Sequence, residues 1–202
     1  MTQLILVRHG QTAWNREPRF RGRADIELDE TGLVQAQATA NRLSRFSVTA
    51  IYSSPLKRAL TTAQAIADKF GVTVQPHNGL LDIYFGKWQG LTPQEASDQD
   101  GVLLDAWRNA PHKVTFPQGE GLTHVRDRVT SALDELTAKH ADETIVLVSH
   151  VVVLKVLLCV LLGLDDSHFW KIAQDTCAIN IIKVKDGNYI VSLINDTCHL
   201  NE

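Results

Sequence analysis

Two histidines and two arginines in this 202-residue chain stand at or just beyond the ends of short apolar runs. Gln3 to Val7 leads into Arg8-His9-Gly10, and Thr49 to Tyr52 leads into Ser53-Ser54-Pro55 with Lys57-Arg58 beyond. Thr144 to Val148 leads into Ser149-His150. A lone histidine is usually a hydrogen-bonded structural residue, and a lone arginine a solvated charge. Four such groups after three separate runs, in a chain of net charge -3, point instead to a shared anion site. A guanidinium presents a planar fork of donors that suits phosphate oxygens, and an imidazole nitrogen can attack phosphorus. Such a cluster needs no metal. Neither a His-Glu-x-x-His run nor a Cys/His ligand set occurs, and arginines beside the histidines would repel a divalent cation, so no metal and no cofactor are expected.

The elements that must position these residues alternate. A strand at Gln3–Val7 precedes a helix over Thr31–Phe46, with Leu33, Ala36, Ala40 and Leu43 on one face. Thr49–Tyr52 reads as a strand, Pro55–Phe70 as a helix and Val72–Val74 as a strand. Ser54-Pro55 has the chemistry of an N-cap and first-turn pair, which would leave free N–H groups beside Arg58. The stretch 76–121, with Pro76, Pro93, Pro111, Pro117, Trp88 and Trp107, reads as an irregular, cap-like insertion. Then come a helix from Leu122 to Leu136, a strand at Thr144–Val148 and an apolar helix at Val151–Leu162. Strands Ala178–Lys185 and Tyr189–Ile194 flank the hairpin signal Asp186-Gly187-Asn188. The expected fold is a single domain over 1–202, a three-layer α/β/α sandwich with a mostly parallel sheet and an antiparallel edge. In open sheets of this kind ligands bind beyond the carboxyl ends of the strands, which is where the four charged residues fall.

Composition sets outer limits. Lys and Arg total 20 against 23 Asp and Glu, so the broad basic surface that nucleic acid requires is missing. Size scaling gives a folded surface of about 9,400 Å² for this mass. Cys159, Cys177 and Cys198 are odd in number and far apart, and read as buried thiols of a reducing compartment. Too few residues precede Arg8 for a secretory leader, and Ser149, His150 and Lys155 interrupt the apolar stretch 144–164, so a cytoplasmic protein without a membrane span is expected. The terminal hairpin could pair across a dimer axis, which leaves monomer and homodimer both open.

Several blocks resemble those of a known family. They are LVRHGQTAWN (6–15), RGRADIELDETG (21–32), YSSPLKRALTTAQAI (52–66), FGKWQGL (85–91), FPQGEGL (116–122), LVSHVVVLKVLLCVLLGL (147–164) and the terminal INDTCHL. In this order they resemble the histidine phosphatase superfamily, which includes cofactor-dependent phosphoglycerate mutases and small phosphatases such as α-ribazole phosphatase. The resemblance implies that His9 is the nucleophile that becomes a phosphohistidine. Arg8, Arg58 and a protonated His150 would clamp the phosphate, with Asn15 as a further donor and Gln11, Thr12 and Gly22 lining the pocket.

Departures from the family pattern are informative. Asp82 stands where the family places a glutamate, four residues before the glycine of FGKWQGL, and is expected to be the general acid that alkyl leaving groups require. Glu95 and Glu120 are the competing acids, Glu120 looking more like an orienting residue. Val151 and Val152 follow His150 where the family often has two glycines, so the backbone must approach phosphate with a β-branched side chain. Arg21 replaces a common glutamine and is a candidate contact to a second anion, a surface ion pair being the alternative. Trp14, Phe20, Tyr84, Trp88 and Trp107 are candidate pocket walls, or core. The implied function is hydrolysis of a small phosphorylated metabolite, among them α-ribazole 5′-phosphate, phosphoserine, fructose bisphosphates and nucleotides. A phosphoglycerate mutase and a non-catalytic phospholigand-binding domain are the alternatives.

Overall fold

Leu4, Ile5, Leu6 and Val7 are wholly buried, as a strand covered on both faces must be. They lie in Thr2–Arg8 (β1) of a computed structural model that describes residues 1–185 and 187–200. β1 pairs in parallel with Thr144–Ser149 (β4), which pairs in parallel with Val48–Ser53 (β2), and β2 with the short edge strand Val74–Pro76 (β3). On its other side β1 meets Ile179–Lys185 (β5) antiparallel, and β5 meets Asn188–Asp196 (β6). The order β3-β2-β4-β1-β5-β6 is the mostly parallel sheet with an antiparallel edge that the alternation predicts.

The period of two along β1 sorts its side chains. Leu4 and Leu6 pack on one face with Tyr52, Leu147 and the helices Leu122–Lys139 (α5) and Val151–Leu161 (α6). Ile5 and Val7 pack on the other with Glu30–Leu43 (α2) and Lys57–Phe70 (α3), through Ala40, Leu43, Ala59, Ala63 and Ile66. Three layers result, with an accessible surface of 9042 Å². Pairing fixes the rim: Arg8 lies opposite Ser149 and Ser53 opposite Val148, so the residues after β1, β2 and β4 emerge together.

Insertion 76–121 is more regular than its prolines suggest. It contains a helix at Pro93–Asn109, merged across a break at Asp100, whose φ is -158°. Its start carries a Thr92/Glu95 capping box with Pro93 in the first turn, a legible signal that the proline count obscured. Phe20, Phe85, Trp88, Trp107 and Phe116 interlock, with ring centroids 4.8 Å apart for Phe85–Phe116 and 5.1 Å for Trp107–Phe116. Trp88 and Trp107 are therefore core, while Trp14 and Phe20 are half-buried and Tyr84 is exposed.

Smaller differences follow local chemistry. The edge strand starts at Val74, not Val72, and ends on Pro76, where no ladder N–H is demanded. The third helix starts at Lys57 with Leu56 in the cap position, so Ser54-Pro55 is not the cap pair. Cys159 and Cys177 are buried, but Cys198 is exposed. Of the hairpin signal, Asp186 lies outside the described residues. Among the described residues no helix is long and apolar enough to cross a membrane.

Candidate active site

His9 follows β1, and its backbone N–H donates to the Ser149 carbonyl at 3.0 Å, which ties the end of β1 to the end of β4. His9 Nδ1 lies 2.7 Å from the Gly10 carbonyl, so Nδ1 carries the hydrogen and Nε2 keeps its lone pair. Gly10 is required here because a Cβ would sit 2.6 Å from the Gly32 carbonyl oxygen. Its N–H donates to Thr62 Oγ1, whose hydroxyl in turn donates to the Arg58 carbonyl.

Arg58 is fully buried and anchored on three sides. Its Nη1 donates to the Ala24 carbonyl at 2.7 Å, and its Nη2 to the Gly22 carbonyl at 2.8 Å and to Asp82 Oδ2 at 3.2 Å. Gly22 has φ +51° and offers that carbonyl from a left-handed turn that disfavours a side chain. Arg8 donates from Nη1 to the Gln174 carbonyl at 2.6 Å. Both guanidinium groups keep a buried Nε without a partner among the described residues, and Arg128 Nε and Arg21 Nη1 are likewise unpartnered there. These unused donors face a requirement that buried polar groups be paired, which an anion would meet.

His9 and His150 have ring centroids 5.2 Å apart. His150 is fully buried in the cap position of α6, with Nε2 2.7 Å from Ser54 Oγ and Nδ1 3.7 Å from Asp82 Oδ2. Burial first, then the charge of Arg58, holds both imidazoles well below their ordinary pKa. Without an anion in the site, this environment favours the uncharged imidazole at His150, whereas the resemblance implies a protonated clamp.

Asp82 meets these groups as the sequence position implied. It is buried, and its Oδ1 accepts from the Ile83 N–H at 3.0 Å. Burial raises its carboxyl above the ordinary range and outweighs the opposing charges of Arg58 and Arg21. Glu95 is spent at the start of the insertion helix, capping Thr92. Glu120 bridges Arg23 at 2.8 Å and Arg128 at 3.4 Å while accepting from the Tyr84 N–H, an orienting role.

The remaining predicted residues divide. Arg21 makes no ion pair among the described residues, and burial and Arg58 both lower its pKa, which places it with the cationic cluster rather than in a surface pair. Asn15 accepts at Oδ1 from the Thr12 N–H and hydroxyl, which leaves its amide N–H groups free of that bond. Thr12 is buried and structural, and Gln11 binds Gln35 and Asp29, outside the cluster's own hydrogen bonds. Val151 is half-buried in the first turn of α6. Sequence reasoning missed Arg128, Gln174 and the use of Ser54. Arg128 had a signal: it is a charge between Val125 and Val129 on the buried face of α5. Gln174 contributes only a carbonyl, for which sequence has no code.

Six strands among the described residues with two long helices on each face, and a rim of two imidazoles, buried arginines and one carboxyl, define an enzyme built to hold a phosphoryl group. Residues 4–197 match the histidine phosphatase superfamily (branch 1). Phosphoserine phosphatase 1 from Hydrogenobacter thermophilus is 38% identical over 202 residues, 100% of this chain and 96% of that protein. YhfR from Bacillus stearothermophilus superposes with a TM-score of 0.95 at 32% identity, covering 99% of this chain and 100% of that one. A mutant phosphoserine phosphatase from Entamoeba histolytica, in complex with phosphoserine, gives 0.89 at 31% identity, covering 99% and 100%. The chain belongs to the histidine phosphatase superfamily and is a phosphomonoesterase of that fold.

Proposed function

We propose that the enzyme cleaves its ester through a phosphohistidine on His9, with Asp82 as the proton donor, in a single catalytic domain. The observation that carries this reading is the Gly10 carbonyl on His9 Nδ1, which commits the Nε2 lone pair to a site of converging guanidinium groups. Nε2 attacks phosphorus, the ester P–O bond breaks, and the Asp82 proton passes to the leaving oxygen. Asp82, now a carboxylate, takes a proton from water whose oxygen attacks phosphorus; the P–N bond breaks and both residues return to their starting states. Arg8, Arg58 and the His150 N–H oppose charge on the equatorial oxygens. No step requires a metal.

The charge balance supports a substrate with more than one anionic group. Arg8, Arg21, Arg58 and Arg128 surround Asp82 and the two histidines, and among the described residues only Arg58 and Arg128 of these four have carboxylate partners. A phosphate dianion leaves positive charge over, which a neighbouring carboxylate would meet, as in the phosphoserine held by the Entamoeba relative. The reading extends to a cytoplasmic enzyme, monomer or homodimer, acting on a small metabolite and not on nucleic acid or membranes.

A panel of phosphate esters tests it, run with and without a chelator and scored for phosphate release and for isomerisation. Phosphoserine, 3-phosphoglycerate and its bisphosphate sit beside simple alkyl phosphates. Release without isomerisation, undiminished by chelator and fastest with the carboxylate esters, is expected. Isomerisation as the main reaction would mark a mutase.

A further inference from the structure

Ser54 sits on the rim between β2 and α3, and its hydroxyl does not cap the helix that follows. Its backbone N–H donates to the Val148 carbonyl at 3.0 Å, which pins it beside β4 and His150. Its Oγ is 2.7 Å from His150 Nε2, with the Leu56 N–H approaching at 3.4 Å. Both side chains are fully buried.

Two arrangements of hydrogen satisfy the short contact, and they differ in what they leave behind. If Nε2–H donated to Ser54, the buried hydroxyl would have no acceptor for its own hydrogen among the described residues. His150 Nδ1, 3.7 Å from Asp82 Oδ2, would then carry a lone pair and have no hydrogen to give a phosphoryl oxygen. If Ser54 donates to Nε2, its hydroxyl is satisfied and Nδ1 carries the hydrogen. That N–H has no hydrogen-bond partner among the described residues. It is 3.7 Å from the carboxyl that must deliver a proton, and the His9 ring centroid lies 5.2 Å from that of its own ring. The second arrangement pairs the Ser54 hydroxyl and leaves His150 Nδ1–H, beside the Asp82 carboxyl and the His9 ring, available to a ligand.

We infer that Ser54 is a positioning residue that locks His150 in the Nδ1–H tautomer, turning this imidazole into a neutral, pre-aimed donor to a phosphoryl oxygen. The inference rests on the proposed phosphoryl site, and it explains how His150 can serve that site uncharged. Neutral His150 has one hydrogen to give, so a wrong tautomer presents a lone pair to an anion. A misplaced tautomer weakens the transition state more than the ground state, because charge builds on the equatorial oxygens during transfer.

The test reads the tautomer directly. ¹⁵N-imidazole NMR of the wild-type protein, with His150 assigned by comparison with H150Q, is expected to show Nδ1 protonated and Nε2 bare near neutral pH. In S54A the two tautomers should mix or invert, and kcat should fall by up to the roughly hundred- to thousandfold that losing one pre-aimed donor costs, with a smaller change in KM. S54T, which keeps a hydroxyl, should restore the wild-type NMR pattern and most of kcat. A wild-type spectrum with hydrogen on Nε2 overturns the inference without any variant needing to fold. So does an S54A protein with unchanged tautomer and unchanged kcat. Should His9 prove not to be phosphorylated, the phosphohistidine reading fails while the tautomer result stands on its own.

Discussion

The rim of strand ends and the insertion at 76–121 both reach the phosphoryl site, and they are built by different physics. At the rim, Arg8, His9, Ser54 and His150 are held by sheet register and by backbone hydrogen bonds between β1, β2 and β4. In the insertion, Asp82 and Glu120 are held by a mosaic of edge-to-face aromatic rings and by arginine anchors. The rim resembles a fixed clamp that many phosphate esters could use. Under the proposed mechanism the insertion would set which leaving group is protonated and which second anion is met.

Substitutions should separate the two. Asp82→Asn would remove the proposed proton donor while its amide oxygen can still accept from Arg58. Hydrolysis of alkyl phosphates should fall by about 10²–10⁴-fold, while aryl phosphates, whose leaving groups need little protonation, should be largely spared. Equal loss on both classes, measured as kcat/KM, would take Asp82 out of the acid role. Phe116→Ala attacks the same region through packing, since this ring is 1% exposed and touches Phe85, Trp88 and Trp107. It should cost roughly 3–5 kcal/mol in denaturant unfolding. In the surviving folded protein the ratio of aryl to alkyl hydrolysis should rise, because the insertion loosens around Asp82 and the rim does not.

A third prediction isolates the rim. His9 and His150 are held neutral by burial and by Arg58, so their folded pKa values lie well below the 6.5 of an exposed imidazole. The unfolded chain therefore binds more protons than the folded one once the pH drops below 6.5. The stability these groups contribute is present above that pH and lost as pH falls through it, with a slope of up to about 1.4 kcal/mol per pH unit for each histidine. Chemical denaturation across pH 5 to 7.5 should show this slope less the opposing contribution of Asp82, whose raised carboxyl holds its proton longer in the folded protein, and His150→Gln should lower it by one histidine's share. A flat profile would mean that the rim is more solvated than its burial implies.

How much of this could be read from sequence follows the same division. Apolar runs in β1, β2 and β4 forced buried strands, and buried strands forced Arg8, His9 and His150 to one rim. Arg58 followed from the helix after β2. The insertion was harder because its order is tertiary: Trp107 and Phe116 meet only in the folded state, and the helix at Pro93–Asn109 loses its period at Asp100. Asp82 was legible from its place before the FGKWQGL block, whereas Arg128 needed the helix face to be known. Ser54 before Pro55 reads as an N-cap serine in the sequence, and the helix start at Lys57 is what frees its hydroxyl for His150. Neutral His150 was also out of reach, since its pKa depends on burial among arginines that lie far apart in the chain.

The account turns on His9 carrying the phosphoryl group, and rapid acid-free quenching of turnover followed by intact-protein mass spectrometry and peptide mapping tests it most directly. The account predicts a phosphoryl adduct on His9 that survives base, is lost in acid, and forms and decays fast enough to carry turnover. His9→Ala should show neither adduct nor activity, a loss on the order of 10⁴-fold or more. Steady release of phosphate with no adduct on His9, or full activity in His9→Ala, would contradict it.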